Sequence, residues 1–289
     1  MRLEELISQD YQLIGNGRYI RGVEHSSLVV DIERQIFFWN SRGIVGDALR
    51  WLIDIRGMKY ADAIKIAKRE NGNLFHNSTV QNKTQSNVVN ETLVEAFFEF
   101  GKKHREYWYD IRGYTDRTVE HFRLGYAGEG WYTIPIFVDG VFRNFQCRNE
   151  AKIIRPWYEG EGALPFNFGI LAVTDWVVLT EGPVDAIMLR QNDIPAVSQT
   201  AGAGDRNVYR KHFVKFKNIK RVYICYDNDK AGNDDSIEVA KLFGERAKIY
   251  NMWAFDEKFD VSDFFMGGWT KEQFLTLIRE DGKLYYELG

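Results

Sequence analysis

The sequence predicts an α/β protein: its C-terminal part is a mostly parallel sheet flanked by helices, and an α+β region precedes it. From residue 176 onward, short apolar segments typical of strands alternate with helical segments, as in WVVLT, PVDAIMLRQ, AVSQ and RVYIC. Such alternation is typical of parallel strands joined by crossover helices. The chain has 289 residues, of which 45% are hydrophobic and 15% aromatic, which is enough apolar material for about two domains.

The first part of the chain, residues 1–71, has the pattern of a small α+β domain. A short opening helix precedes three segments typical of strands, RYIRGV, SSLVVDI and QIFFWN. Apolar spacing then predicts helices over GDALRWLIDIRG and YADAIKIAKRE. Residues 72–92 are rich in Asn, Ser, Thr and Gln and show no hydrophobic period, so we expect a linker there.

Two further units are expected after this linker. Residues 93–175 begin with an aromatic helix, LVEAFFEFGKKHREYWYDI. The segment WYTIPIFVDGVFRNFQCR then predicts a β-hairpin that turns at Asp139 and Gly140, because Asp-Gly is a strong hairpin dipeptide. Residues 176–289 contain the alternating strands and helices and form the last unit.

The cysteine content and the hydropathy of the chain indicate its compartment. Cys147 and Cys225 are the two cysteines, and they lie in unrelated segments, which favours a reducing environment over a disulfide framework. No segment has the pattern of a signal peptide or the roughly 20 apolar residues of a membrane span. We therefore expect a soluble cytoplasmic protein.

Charge is distributed unevenly along the chain, although the net charge is only −3. Residues 206–221 contain seven Lys or Arg and no acidic residue, whereas the chain beyond them is acidic. A basic strip beside an acidic region suits a protein that handles phosphate groups with the help of cations. The alternative interpretation of either run alone is a solvated surface.

Acidic residues follow the predicted strands at their carboxyl ends. Glu181 follows WVVLT, and Asp227 and Asp229 follow RVYIC. In an open α/β sheet such ends lie along one edge, where ligands bind. Carboxylates this close repel one another unless they are solvated, protonated or bound to a cation. Three more aspartates lie where they can face the same edge: Asp185, Asp260 and Asp263.

Carboxylates without His or Cys fit Mg²⁺ or Mn²⁺ and not zinc, because these hard cations prefer oxygen ligands. The alternative is that each carboxylate only caps a helix or lies in a polar loop. We adopt that alternative for Asp234 and Asp235, which we place in the first turn of a helix. Acidic residues at several strand ends favour a metal site for Glu181, Asp227 and Asp229.

Three segments, TEGPVDAI, YDNDKAG and DVSDF, resemble motifs of the Toprim domain. Bacterial-type (DnaG-like) primases share this domain with type IA and type II topoisomerases and some nucleases. The resemblance implies a Toprim fold in which Glu181, Asp227 and Asp229 form the catalytic, metal-binding core. It implies supporting metal ligands at Asp185, Asp260 and Asp263.

The segment upstream distinguishes among these families. YDIRGYT, then RLGYAG, then an IPI hairpin ending in Arg148 resembles the N-terminal subdomain of the primase catalytic core. In primases, basic residues after this hairpin contact template or nucleotide, and they map to Arg148, Lys152 and Arg155. With Lys211 and Lys215 of the basic strip, these are the predicted DNA- and nucleotide-binding residues. The alternative interpretation of Arg148 is an exposed strand residue.

Residues 1–71 resemble the zinc-ribbon domain that precedes the primase core. Alignment on GDA at residues 46–48 places the four zinc-ligand positions of that domain on Arg18, Arg21, Trp39 and Arg42. Tetrahedral zinc needs thiolate or imidazole ligands, so we expect a ribbon-like domain without zinc. The arginines are then either DNA contacts or solvated remnants. Packing should hold the domain through Phe37, Phe38, Trp39, Leu49 and Trp51.

Together these resemblances imply a DNA-dependent RNA primase that synthesises short primers on single-stranded DNA by divalent-metal-assisted nucleotidyl transfer. Its implied partners are the template, ribonucleoside triphosphates and a separate replicative helicase. Its cofactor would be Mg²⁺ or Mn²⁺, without zinc. From the short length we expect a phage or mobile-element protein. Two alternatives stay open: a Toprim-type metal-dependent nuclease, and a non-catalytic single-stranded-DNA-binding adaptor in replication.

Overall fold

Two compact units make up the computed structural model, and each combines separate stretches of the chain. Unit 1 consists of residues 1–105, 123–135 and 145–159, and unit 2 of residues 106–122, 136–144 and 160–289. The structure describes the residues 2–42, 44–59, 62, 63, 66, 83–159, 162–201, 207–257 and 259–288.

The division differs from the consecutive domains expected from the sequence. The ribbon-like segment shares unit 1 with parts of the predicted primase-core subdomain, and the rest of that subdomain shares unit 2 with the Toprim segment. The reason is that the chain between residues 106 and 159 alternates between the units. A boundary read along the sequence cannot represent such an arrangement.

An antiparallel sheet of five strands in sequential order forms the first part of unit 1. Its core includes Phe37, Trp39, Leu49 and Trp51, as predicted from the sequence, whereas Phe38 is half-buried and lies outside the core cluster. The elements are helix α1 (Leu3–Ile7) and strands β1 (Leu13–Ile14), β2 (Tyr19–Gly22), β3 (Leu28–Asp31), β4 (Ile36–Trp39) and β5 (Ile44–Gly46).

Two helices follow this sheet. Helix α2 (Ala48–Arg50) continues into a π-helical turn (Trp51–Ile55), and Asp47 caps it by accepting from the Arg50 N–H at 3.0 Å. Helix α3 (Lys83–Gly101) begins inside the predicted linker, so the linker assignment of residues 83–92 was wrong. The buried apolar residues that follow stabilise a helix that extends back into the polar segment. Residues 72–82, and nearly all of the helix predicted over YADAIKIAKRE, lie outside the described residues.

A four-stranded sheet contains the predicted hairpin. Asp139 and Gly140 have φ of 54° and 77°, the left-handed values that a two-residue hairpin turn requires. Gly125 in the LGYA segment lies against helix α3, where a Cβ would come within 2.6 Å of the Phe97 carbonyl carbon. The strands, in spatial order, are β6 (Gly125–Tyr126), β7 (Tyr132–Val138), β8 (Val141–Arg148) and β9 (Ile154–Pro156).

Unit 2 contains the mostly parallel sheet that the alternating pattern predicted. Its order is β10-β12-β11-β13-β14, in which only β10 runs antiparallel to its neighbour. The strands are β10 (Pro165–Phe166), β11 (Trp176–Thr180), β12 (Ala196–Gln199), β13 (Arg221–Cys225) and β14 (Ala247–Ile249).

Helices of unit 2 pack against this sheet, and the central strands are buried on both faces, which explains their nearly continuous apolar sequences. A π-helical turn (Tyr107–Ile111) and helix α4 (Asp116–His121) come from the upstream segment. The remaining helices are α5 (Pro183–Gln191), α6 (Asn207–Lys211), α7 (Lys230–Phe243), α8 (Val261–Met266) and α9 (Lys271–Glu280).

Both cysteines, Cys147 and Cys225, are buried and form no disulfide. In the described part of the chain, no helix combines the length and the apolar character that crossing a membrane requires.

Candidate active site

The central pair of strands in unit 2 brings two of the predicted site residues to one edge of the sheet. Strands β11 and β13 are parallel neighbours, and Thr180 pairs with Cys225 at their carboxyl ends. Glu181 and Tyr226 therefore leave the sheet at the same level, with Asp227 one residue further along. Glu181 and Asp227 are both half-buried.

A tight turn connects Asp227 to helix α7. The Asp229 N–H donates to the Asp227 carbonyl oxygen at 2.8 Å. Asp229 is also the N-cap of α7, since its Oδ1 accepts from the Gly232 N–H at 2.9 Å. A Cβ on Gly232 would lie 2.3 Å from the Asp227 carbonyl oxygen, so this position accepts only glycine without distortion.

The start of α7 corrects one of our interpretations. The helix begins at Lys230, and Asp229 caps it. Asp234 and Asp235 therefore lie in the second turn, so their assignment to the first turn was wrong. Asp234 is exposed, whereas Asp235 is buried with 6% of its surface accessible.

Asp185, Asp260 and Asp263 form a second group of carboxylates. Oδ1 of Asp185 accepts from the Ser262 N–H at 3.2 Å and from the Ser262 hydroxyl at 2.6 Å. Asp260 accepts from the Asp263 N–H at 2.8 Å, and Asp263 accepts from the Asp260 N–H at 3.3 Å, a reciprocal cap on α8. Burial, and then the negative charges of Asp185 and Asp263, raise the pKa of Asp260 to about 7.

Arg112 is a cation near this second group that the sequence analysis did not assign. Its Nε and Nη2 donate to the Tyr107 hydroxyl at 3.0 and 2.9 Å. Its positive charge acts to lower the pKa of Asp260. Burial opposes the charge on Arg112, but Tyr107 and Asp185 outweigh it and keep the pKa of Arg112 above its ordinary value. Arg112 belongs to the quoted segment YDIRGYT, where a charge between aromatic residues was the available sequence signal.

Two buried tyrosine hydroxyls lie near Glu181. Tyr226 donates to the hydroxyl of Tyr209, a residue of helix α6, at 3.5 Å. Burial raises the pKa of both phenols, and the negative charge of Glu181 adds to both shifts. Both hydroxyls therefore stay protonated at neutral pH and can act as hydrogen-bond donors.

The six predicted metal ligands are not gathered into one cluster. Within the described residues, no group of three or more His, Cys, Asp or Glu side chains is placed to hold a metal ion. One reason is local: Asp229, Asp260 and Asp263 each turn a carboxylate oxygen toward a backbone N–H. The donor type still fits Mg²⁺ or Mn²⁺, since every candidate ligand is a carboxylate.

The predicted nucleotide-binding residues after the hairpin lie in unit 1. Arg148 at the end of β8 is only 7% exposed, which excludes the interpretation as an exposed strand residue. Its buried Nε has no hydrogen-bond partner among the described residues. Lys152 and Arg155 are exposed, and the Arg155 guanidinium lies 3.9 Å from the centre of the Trp131 ring.

The basic strip of unit 2 is partly neutralised by the protein itself. Lys211 is exposed at the end of α6. Lys215, in contrast, forms an ion pair with Asp139 at the tip of the hairpin. Of the two predicted phosphate contacts, Lys215 would have to give up a carboxylate partner.

At the four positions that the resemblance assigns to zinc ligands, the ribbon-like sheet has other contacts. Arg18 pairs with the buried Asp31, with Nη2 2.8 Å from Oδ2. Trp39 is 1% exposed and stacks on Trp51 with ring centres 5.8 Å apart. The Arg42 guanidinium lies 3.9 Å from the centre of the Trp39 ring. Arg21 is exposed and donates to a main-chain carbonyl at 3.3 Å.

Parts of the chain match known protein sequences. Residues 178–265 match a family model described as Toprim-like. The chain is 29% identical over 145 residues to a DNA primase of Halalkalibacterium halodurans, a match that covers 44% of this chain and 24% of that protein. It is 33% identical over 48 residues to an uncharacterized protein of Bacillus anthracis, covering 17% and 14%. The matches thus span a quarter or less of these relatives.

Solved structures resemble a larger part of the chain. The zinc-binding and RNA polymerase domains of the Aquifex aeolicus primase match 98% of this chain and 83% of that one, with 18% identity and a TM-score of 0.52. A DnaG catalytic core matches 68% and 79%, with 16% identity and a TM-score of 0.54. The RNA polymerase domain of Mycobacterium tuberculosis DnaG matches 69% and 84%, with 12% identity and a TM-score of 0.53.

The fold and the strand-end carboxylates define a class: this is an α/β chain with a Toprim-like domain. Within that class, the chain has the fold of the bacterial-type (DnaG-like) primase core.

Proposed function

We propose that the chain is a DNA-dependent RNA primase that makes short primers on single-stranded DNA. The observation that carries the proposal is the pairing of β11 with β13, because Glu181 and Asp227 follow these adjacent strands at the carboxyl edge of a Toprim-like sheet. The resemblance of the LGYA segment and the IPI hairpin to the primase core supports priming over DNA cleavage. The expected setting in phage or mobile-element replication is part of this proposal.

Glu181, Asp227 and Asp229 would hold Mg²⁺ or Mn²⁺ at this edge. When bound, the cation would neutralise triphosphate charge and stabilise the charge that develops as a 3′-hydroxyl attacks an α-phosphate. The protein positions these ligands through the strand register and through the cap of α7. For zinc we propose no role, since the ribbon positions carry Arg18, Arg21, Trp39 and Arg42.

Basic side chains would hold the phosphates of template and nucleotide. Arg148 is the strongest candidate, because a buried guanidinium nitrogen without an acceptor gains most from an anionic partner. Lys152, Arg155 and Lys211 are exposed and supply charge that is screened by salt. A separate replicative helicase is a proposed partner.

Incubation with single-stranded DNA, labelled ribonucleotides and Mg²⁺ or Mn²⁺ tests the proposal. We expect short new oligonucleotides from the wild type and none from Glu181→Gln. Asp234→Asn is the matched control, since Asp234 is an exposed carboxylate in the second turn of α7 and should keep activity.

The other outcomes separate the remaining candidates. Shortened DNA that disappears in Glu181→Gln would identify a nuclease. Binding of DNA without synthesis or cleavage would identify an adaptor. Either result contradicts the primase proposal.

A further inference from the structure

Two asparagine side chains hold the acidic turn, residues 227–229, which carries the predicted metal ligands Asp227 and Asp229. Asn228 lies between the two aspartates and is half-buried. Asn251 follows strand β14 and is fully buried, with 0% of its surface exposed. Burying an amide costs free energy unless its hydrogen bonds are satisfied, so the partners of these side chains indicate what each contributes.

Asn251 contacts the chain on both sides of the acidic turn. Its Oδ1 accepts at 3.0 Å from the N–H of Tyr226, the residue before the turn. Its Nδ2 donates to Oδ1 of Asn233 at 2.8 Å and to the hydroxyl of Ser236 at 2.9 Å, both in helix α7. One buried amide thus joins the end of β13 to the start of α7, and the acidic turn between them is held at both ends.

Asn228 makes the reverse connection, from the acidic turn to the chain that follows β14. Its Nδ2 donates to the main-chain carbonyls of Phe255 and Asp256 at 3.3 Å and of Met252 at 3.5 Å. Met252 has a φ of 54°, a left-handed conformation that is uncommon for a residue with a large side chain. The acidic turn thereby stabilises the segment 252–256, which leads to helix α8.

We propose that Asn228 and Asn251 are positioning residues, which fix Asp227 and Asp229 for cation binding by tying the acidic turn to the chain that follows β14. This inference rests on the proposed function for the role of the two aspartates as metal ligands. Ligands that are already held in place lose less conformational freedom when they bind, so they bind a cation more tightly. Neutral amides supply this order without the repulsion that a lysine or arginine would exert on the cation.

Hydrogen exchange of the Tyr226 amide, measured by NMR in EDTA, tests the contact without any metal. Asn251→Ala removes the acceptor of this N–H, so its exchange should become about tenfold faster. The Val178 amide in strand β11 is the internal control, since it donates to the Pro195 carbonyl at 2.8 Å and should keep its exchange rate. Equal acceleration of both amides would reflect a general loss of stability and would contradict the local role of Asn251.

Binding of Mn²⁺, followed by the electron paramagnetic resonance signal of the free ion, tests the positioning role. Asn228→Ala should weaken Mn²⁺ binding several-fold, and Asn251→Ala should weaken it more, because Asn251 holds both ends of the turn. The matched control is Asn192→Ala. Asn192 is the C-cap residue of α5, and its Nδ2 also donates to a main-chain carbonyl, at 2.9 Å. This variant loses a similar hydrogen bond and should bind Mn²⁺ like the wild type.

Primer synthesis should follow the same order. The Mn²⁺ concentration that gives half-maximal synthesis should rise in Asn228→Ala by the factor measured for binding, and activity should return at saturating Mn²⁺. An asparagine that only stabilises the fold would leave this concentration unchanged.

Mn²⁺ binding by Asn228→Ala at the wild-type level would overturn the inference, and this result decides even if Asn251→Ala does not fold. Asp227→Asn separates the inference from the proposed function. If Asp227→Asn loses Mn²⁺ binding while both asparagine variants keep it, only the positioning role fails. If Asp227→Asn also binds like the wild type, the proposed metal site fails, and the inference fails with it.

Discussion

The five-stranded sheet of unit 1 and the five-stranded sheet of unit 2 use their predicted metal-ligand positions in opposite ways. In unit 1, Arg18 pairs with Asp31 and Trp39 stacks within an aromatic core, so the protein itself supplies the partners. In unit 2, Glu181 and Asp227 still end adjacent parallel strands as carboxylates. The comparison teaches that a shared fold does not preserve a metal site, whereas the chemistry and the contacts of each side chain indicate whether one persists.

Packing has a direct physical reason to be strong in the sheet of unit 1. A zinc ion cross-links two hairpins and contributes folding free energy, which aromatic contacts must supply when the ligands are absent. Tyr11 and Trp51 pack against each other and against Trp39, and Phe37 packs against Trp51, with ring centres 5.0 to 5.8 Å apart. Edge-to-face and stacked rings at these distances stabilise a core beyond simple burial.

Removal of divalent cations should reveal the largest difference between the two sheets. We expect EDTA to abolish primer synthesis, because in the proposed function the carboxylates of unit 2 bind triphosphate through a cation. Thermal unfolding followed by circular dichroism should keep its midpoint, because the sheet of unit 1 is held by side chains. A drop in the midpoint of several degrees would contradict the comparison.

Trp39→Ala should be the most destabilising single change in the ribbon-like sheet. The side chain is 1% exposed, and truncating a buried tryptophan costs about 3–5 kcal/mol. Urea unfolding measures the change. Phe38→Ala is the neighbouring control, because Phe38 is half-buried and outside the core cluster. Equal losses for both variants would argue against Trp39 as the centre of the packing.

Gly232→Ala should destabilise the carboxyl edge of the sheet in unit 2. Its loss in free energy of unfolding should be smaller than that of Trp39→Ala. The new methyl group would displace the Asp227 carbonyl, and such overpacking typically costs about 1–3 kcal/mol. Primer synthesis should fall together with stability, because Asp227 moves. Gly169→Ala serves as control, since a Cβ there meets no atom within 4 Å. Full activity in Gly232→Ala would show that the position of Asp227 is not critical.

Arg18→Met should produce the smallest effect, and one that depends on pH. Burial raises the pKa of Asp31, but hydrogen bonds from Arg18 and from the N–H groups of Arg34 and Glu33 outweigh it, so the pKa lies below the ordinary value. This stabilisation is present at neutral pH and is lost as the pH falls through the lowered pKa.

The difference in free energy of unfolding between wild type and Arg18→Met should therefore be largest near pH 7 and shrink in acid. Urea unfolding at several pH values measures it. Arg21→Met should show no such dependence, since Arg21 donates only to a main-chain carbonyl. A difference that is constant with pH would exclude the pair as its source.

Much of the fold follows from local sequence patterns, and the exceptions are contacts between distant residues. The alternating strands of unit 2 and the turn at Asp139 and Gly140 were predictable because period and turn chemistry are local. The ion pair of Asp139 with Lys215 joins residues 76 positions apart, which no local pattern encodes. Asp234 and Asp235 were wrongly placed in the first turn of α7, because the capping role of Asp229 was not recognised and Asp229 was assigned only to the metal site.

In the candidate site, too, local sequence patterns were predictive and contacts between distant residues were not. The strand ends that carry Glu181 and Asp227 were identified from the sequence, because parallel strands bring their carboxyl ends to one edge. Arg112 and Tyr209 were missed, since their proximity to the carboxylates arises from tertiary packing of segments far apart in the chain. Whether the six carboxylates act as metal ligands stays a prediction.

The buried position of Arg148 has a consequence for how the protein would respond to ionic strength. Mobile ions screen charges that water surrounds, and they screen enclosed charges far less. A phosphate held by Arg148 would therefore keep most of its attraction in concentrated salt, whereas one held by Lys152 or Lys211 would lose it. Nucleotide affinity that persists as template affinity fades on adding salt would be the signature of this enclosed charge.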